Sequence, residues 1–220
     1  MKQIAHIESM YPTKFGVPRQ AGLVEAKAKV VFEPEYRVAE AVRGLEEFDY
    51  VWLIWHFHLA ERSEWSPTVR PPRLGGNRRV GVFATRSPFR PNAIGLSSVR
   101  LLGIEHDADK GPVLLVEGAD LVDGTPIFDI KPYLAYADSH PNARSGFAGS
   151  APVAGLEVHD PDGITLDMEA DQRQVLFATL AHDPRPSYQD DPDRIYTMPF
   201  ADREVSFRVV DGKVWIVKKR

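Results

Sequence analysis

The sequence predicts a mainly-β protein of α+β type: an antiparallel β-barrel over residues 1–138, then a linker and a small α+β unit over 139–220. Three observations carry that expectation. Up to residue 135, strand-like stretches outnumber helical ones and follow one another in hairpin fashion, which favours a barrel over a doubly wound sheet. No Gly-x-Gly-x-x-Gly sits between a strand and a helix, and there is neither a Walker lysine loop nor a Gly-x-Ser-x-Gly elbow. At 135–154 the composition turns to Ala, Ser, Gly and Pro with little periodicity, as in a linker or a long excursion between units.

Residues 2–8 read as the first strand, with Ile4 and Ile7 loosely alternating. A Pro- and Gly-punctuated loop follows and carries Val17-Pro18-Arg19-Gln20, placing Arg19 and Gln20 on a fixed turn before the second strand at 23–32. Val38, Ala41, Val42, Leu45 and Phe48 recur at helical spacing, so 38–48 is expected to be a short helix weakened at Gly44. The clearest strand is 50–59, YVWLIWHFHL, whose alternation puts apolar side chains on both faces and sets His56 beside His58 near its end. Burial on both sides is therefore expected.

The densest segment is 70–95, RPPRLGGNRRVGVFATRSPFRPNAIG, which reads as loop, short strand at 80–84, loop. Pro88 and Pro91 bias Ser87 and Arg90 toward extended backbone, so the second loop is expected to be a stiff wall. Strands at 94–104 and 113–116 flank turn chemistry at 106–111. In 119–133, Asp123-Gly124 makes a turn, Thr125 is extended before Pro126, and Asp129 falls on a short strand. Pairing of this acidic hairpin with the basic loop is the sharper expectation. Beyond the linker come a helix at 168–180 and strands near 195–198, 205–210 and 213–217, the last two joined at Asp211-Gly212. So short a unit is expected to dock on the first.

Charge narrows the function. The chain carries −4 overall, yet between Arg62 and Arg90 seven arginines face one acid, Glu64, a local +6 suited to a polyanion. The absence of cysteine removes thiolate chemistry and disulfides and suits a reducing cytoplasm. The N-terminal stretch lacks a signal-peptide pattern and the longest apolar run is short of a membrane span, so a soluble protein with no membrane partner is expected. His56 and His58 at i, i+2 offer two metal ligands, but no spacing completes the set and no metal is expected; one imidazole is read as packed, the other as facing a pocket.

These residues reach a known family. Pro18-Arg19-Gln20, Arg43-Gly44-Leu45, RPPRLGG at 70–76, GVFATRSPFRPN at 81–92, Ile94-Gly95, DLVDGTPIFDIKPY at 120–133 and Asp183-Pro184-Arg185-Pro186-x-Tyr188 resemble the motifs of the TrmO-type (TsaA-like) tRNA methyltransferases. The resemblance spans the first 135 residues and resumes at the last motif. It implies a barrel methyltransferase, homodimeric and cytoplasmic, that uses S-adenosyl-L-methionine to methylate N6 of N6-threonylcarbamoyladenosine beside the anticodon of threonine tRNA. Donor contacts implied by matching positions are Pro18, Arg19, Gln20, Phe57, His58, Arg86, Leu96, Asp123, Gly124, Thr125, Pro126 and Ile127. Arg70, Arg73, Arg78, Arg79, Arg90, Lys131 and Arg185 are the candidates for phosphates or the threonyl carboxylate. His58, Asp129 or Tyr133 serves as base, and the sequence does not choose. The rival readings are a barrel methyltransferase with another acceptor, a noncatalytic RNA-binding barrel, and a metal-dependent hydrolase.

Overall fold

The computed structural model describes residues 1–60, 64–149, 154–186, 189 and 191–218. Arg62 and Tyr188, both singled out above, lie outside the described residues. Eight strands come first: β1 (Ala5–Glu8), β2 (Lys27–Phe32), β3 (Tyr50–His56), β4 (Thr68–Val69), β5 (Val80–Gly81), β6 (Ile94–Asp107), β7 (Gly111–Glu117) and β8 (Pro126–Pro132). Six of them close into a barrel in the order β1-β2-β7-β6-β3-β8, because β1 pairs with β2 along one edge and with β8 along the other. Closure leaves no free sheet edge. β4 and β5 form a separate two-stranded sheet inside the arginine-rich segment.

Alternation explains the barrel's interior. In β2 the lysines Lys27 and Lys29 point outward while Ala28 and Val30 point in, and in β3 Val51, Leu53 and Trp55 are buried. They meet Ile7, Leu114, Val116, Leu121 and Ile127 in one cluster. Trp52, Ile54 and His56 on the other side of β3 are only half-buried, so burial on both faces does not occur: a closed sheet encloses one face and leaves the other to whatever lies outside. What lies outside is α1 (Ala135–Asp138), whose Asp138 accepts the Trp52 indole N–H and the Leu134 amide, both at 2.9 Å. Those two bonds, the amide's first, hold its carboxyl below the ordinary range.

The expected helix at 38–48 is replaced by two 3₁₀ turns, Ala39–Val42 and Leu45–Glu47. Arg43 is extended and Gly44 sits at φ 86°, a left-handed geometry that glycine takes without strain and that stops helical propagation. The strand expected at 80–84 shortens to β5 and passes into a 3₁₀ turn, Val82–Ala84. Its apolar run includes Val82, which is buried, while Phe83 is exposed.

The remaining elements are β9 (Glu157–His159), α2 (Ala170–Ala181), β10 (Tyr196–Phe200), β11 (Arg203–Val210) and β12 (Lys213–Val217). They build a sheet in the order β10-β11-β12-β9, with β9, absent from the sequence reading, running parallel to β12. Asp211 and Gly212 take φ 49° and 72°, a turn whose twist matches the two strands it joins. Within the long excursion, 3₁₀ residues Gly146–Ala148 accompany α1. Among the described residues no helix is long and apolar enough to cross a membrane.

Candidate active site

The second hydrophobic cluster is not made by the C-terminal unit alone. Val175, Leu176, Leu180, Met198, Phe200, Phe207 and Ile216 enclose Tyr11, Val24 and Ala26 from the β1–β2 loop, with Met10, Phe15 and Val17 packed alongside. Phe15 stacks on Phe207 with centroids 6.3 Å apart, and the Ala201 amide donates to the Met10 carbonyl at 2.8 Å. Gly16, at φ 101°, is pressed so closely on Met198 that a Cβ there would collide with its sulfur. Tyr11 is 1% exposed and its hydroxyl shares a 3.1 Å hydrogen bond with Thr179 of α2. Burial pushes that phenol up to about 12, against the opposing effect of Thr179. The turn at Val17-Pro18-Arg19-Gln20 is thus held from the far unit.

That turn forms one wall of a cleft of about 500 Å³, large enough for a nucleoside-sized ligand. Pro18 and Arg19 line it with Arg70, Pro72, Asp183 and Arg185. Arg19 donates through Nη2 to the carbonyls of Asp183 and Arg185, each at 3.3 Å. Arg185 closes on Asp183 in a bidentate pair at 2.8 and 2.9 Å with its side chain 10% exposed, so it braces the cleft wall rather than reaching outward as a phosphate contact would.

The other implied residues fall elsewhere. Arg86 donates to the Gln20 side chain at 2.5 Å, tying the stiff loop to the Pro18 turn. Arg90 folds back on its own segment, donating to the Thr85 carbonyl at 2.7 Å and the Val82 carbonyl at 3.3 Å. Arg79 braces Thr68 at 2.8 Å, and Arg73 and Arg78 are exposed. A second cleft of about 730 Å³ gathers Arg90 and Pro126 with His56 and Phe128. His56 both stacks on Phe128, centroids 5.7 Å apart, and lines that cleft, while β3 ends before His58, whose amide turns back to the His56 carbonyl at 2.8 Å. Phe57 packs on Trp55 and donates its amide to Ala93 at 2.9 Å.

At the Asp123 turn the main chain is already committed. The Asp123 and Gly124 amides donate to Tyr11 and Ile7 carbonyls at 2.8 Å, and the Asp123 carboxylate accepts the Ser9 amide at 2.8 Å. Thr125 and Ile127 are buried in the barrel, with Thr125 Oγ1 donating to the Val122 carbonyl. Leu96, 55% exposed, projects from the barrel's outer face opposite Ile54. On the same face Lys131 pairs with Asp129 at 3.0 Å, and Tyr133 packs against Tyr50 and Trp52. Of the acidic hairpin, Asp120 is found in the field of Arg86; Asp123 and Asp129 have the partners just named.

Asp120 is the residue that sequence reasoning passed over. The Trp55 indole donates to Ser97 Oγ at 3.0 Å, and Ser97 donates to Asp120 at 2.5 Å. Burial raises the Asp120 pKa, chiefly by desolvation, against the Ser97 bond and Arg86. The signal was present in the alternation of β6, which turns Ser97 into an otherwise apolar barrel and obliges it to find a partner there. Among the described residues no group of three or more His, Asp and Glu stands close enough to hold a metal ion.

Fold and site together define a class: a mainly-β protein, unlike the doubly wound cofactor folds, whose ligand cleft is built jointly by two units beneath an arginine-rich rim. Comparison with known proteins narrows it. The family model for the tRNA-methyltransferase O N-terminal domain matches residues 6–139, and that for the TrmO C-terminal domain matches 163–219. The chain belongs to the tRNA-methyltransferase O family. It is 44% identical over 220 residues to the tRNA (adenine(37)-N6)-methyltransferase of Escherichia coli K12, covering 96% of this chain and 93% of that protein. A putative S-adenosylmethionine-dependent methyltransferase of Pseudomonas aeruginosa is 42% identical over 211 residues, 92% of this chain and 89% of that one. The crystal structure of TrmO from Pseudomonas aeruginosa superposes with a TM-score of 0.77 at 32% identity, over 98% of this chain and 96% of that chain.

Proposed function

We propose that this protein transfers a methyl group from S-adenosyl-L-methionine to N6 of N6-threonylcarbamoyladenosine beside the anticodon of threonine tRNA. The observation that carries this reading is the first cleft, where three family motifs far apart in the chain (the Pro18 turn, the Arg70 loop and the Asp183 segment) meet around one volume. It is supported by the E. coli relative's named activity on adenine 37 across nearly the whole chain.

The donor set fits such a ligand. A guanidinium has five N–H donors, and the two bonds from Arg19 Nη2 fix it at the cleft while the rest address an amino-acid carboxylate. Asp123, exposed and anchored through Ser9, is suited to ribose hydroxyls or an ammonium group. When bound, S-adenosyl-L-methionine supplies an electrophilic methyl group for in-line displacement. The chain's part is alignment, the exclusion of water and acceptance of one proton. The acceptor nitrogen lies between two electron-withdrawing groups, so a weak base suffices. His58 is the favoured group: it follows Phe57, whose amide is tied to Ala93 where the stiff loop joins β6. Arg70, Arg73, Arg78 and Arg79 are assigned to the RNA backbone.

Assembly as a homodimer completes the reading. Leu96 is implied in donor binding yet projects from the barrel's exterior beside Tyr50, Trp52, Asp129, Lys131 and Tyr133, so its contribution is to a second copy's site. The cytoplasm is the natural setting. The test is mass spectrometry of nucleosides from threonylcarbamoylated tRNA incubated with protein and donor. Methylated threonylcarbamoyladenosine is expected, formed more slowly by His58→Ala; an unmodified nucleoside beside a tightly bound donor overturns the acceptor assignment.

A further inference from the structure

Two aromatic side chains on the arginine-rich segment have no place in either hydrophobic cluster. Trp65 is 52% exposed and Phe83 70%, yet their rings stack on one another with centroids 6.3 Å apart and planes 28° from parallel. The pair is braced. Phe83 belongs to the 3₁₀ turn anchored by buried Val82, and Thr85 Oγ1 donates to the Val82 carbonyl at 2.8 Å. The Arg90 guanidinium lies 5.7 Å from the Phe83 ring centre and is itself fixed by the Thr85 and Val82 carbonyls. From residue 64 to 92 six arginines stand against Glu64 alone.

An apolar ring surface exposed at this density of positive charge suits one kind of ligand. A protein partner would have to bury apolar surface among guanidinium groups, which costs solvation unless it brings its own acids. A single-stranded nucleic acid satisfies both features at once: its bases stack on aromatic faces while its phosphates meet the arginines. Trp65 and Arg90 also line the second cleft with His56 and Phe128, which gives an extruded base somewhere to lie. The geometry points to an unassigned base-stacking site at Trp65 and Phe83, flanked by Arg90, that receives an unpaired base of the anticodon loop other than the methyl acceptor. This rests on the tRNA reading above. Its consequence is specificity: by holding a neighbouring base, the site opens the loop and sets which nucleotide reaches the donor.

The test uses the full-length protein, with Trp65→Leu and Phe83→Leu, and the anticodon stem-loop of threonylcarbamoylated threonine tRNA as the probe. Binding is followed by fluorescence anisotropy over a salt series. Each leucine variant is expected to lose about 5- to 150-fold in affinity, the range of one aromatic-base stack. Trp65→Phe and Phe83→Tyr restore most of it, since a ring is what the site requires. The salt slope stays unchanged in the leucine variants, whereas Arg79→Ala flattens it by about 0.7, as loss of one phosphate contact does. Wild-type tryptophan fluorescence is quenched by the stem-loop, and in Trp65→Phe that component disappears. Unchanged affinity in the leucine variants, or quenching that persists without Trp65, overturns the site. So does loss of RNA affinity that tracks conversion of dimer to monomer on size exclusion, which would make the pair a contact between copies. Methylation of the same stem-loop by the wild type separates the two layers: if it occurs while the leucine variants bind normally, only the stacking site falls, and if it never occurs, the tRNA reading falls with it.

Discussion

The barrel cluster and the C-terminal cluster are built on different plans. Every buried residue of the first falls within Ala5 to Ile127, so the barrel's interior is filled by its own strands and the connections between them. The second takes Tyr11, Val24 and Ala26 from the β1–β2 loop and closes Met168, Leu176, Phe207 and Ile216 around them. The difference teaches what the smaller unit contributes. It grips, at its own core, the loop that presents Pro18, Arg19 and Gln20, and then contributes Asp183 and Arg185, on which Arg19 rests, to the same cleft. Each plan includes a close approach at a glycine, Gly95 against the Trp55 ring in the barrel and Gly16 against Met198 in the second cluster.

Substituting those glycines breaks the comparison most sharply. Gly16→Val adds left-handed strain to a clash with buried Met198, and is expected to cost about 4 kcal/mol in denaturant unfolding and to abolish measurable donor binding. Next is the alkaline limit set by Tyr11. Its folded pKa of about 12 exceeds the ordinary 10.0, so the stability it contributes is intact below pH 10 and is lost as pH rises toward 12. The loss amounts to about 3 kcal/mol, and Tyr11→Phe removes that slope from a pH series of unfolding midpoints. Gly95→Ala forces the Trp55 indole from its seat and costs about 2 kcal/mol, with the stacked contacts of Phe15 undisturbed by near-ultraviolet dichroism. The smallest effect belongs to Asp120→Asn, which still accepts from Ser97 and escapes the desolvation that raises the carboxyl's pKa. It is expected to melt within about 0.5 kcal/mol of wild type near neutral pH, whereas Asp120→Ala leaves Ser97 without its acceptor and costs about 1–3 kcal/mol.

Local features were legible in the sequence. β12 falls on 213–217 as expected, because Lys213–Val217 alternates after a turn that Asp-Gly chemistry suits, and α2 lies within two residues of its expected bounds. The helix expected at 38–48 was a wrong period: apolar spacing at Val38, Ala41, Val42 and Leu45 says nothing of whether Gly44 will turn left-handed, and it does. In the candidate site, the concentration of arginine and proline was visible, as were the turns at Pro18 and Asp123. Invisible were the contacts that assemble them. Tyr11 meets Thr179 across 168 positions, and no periodicity in either segment names the other. Arg185 differs, since its partner is local: its charge suggested RNA, whereas Asp183 two residues before it turns it inward.

The grip of the C-terminal unit on the Pro18 turn is tested most directly by calorimetric titration of S-adenosyl-L-methionine into the full-length Phe207→Leu variant. Phe207 is fully buried, touches Phe15 by stacking and is absent from the lining of either cleft. Donor affinity lower by about tenfold or more, in a protein whose barrel remains folded, is the predicted result. Affinity within twofold of wild type, in a variant whose second cluster is measurably loosened, would contradict it.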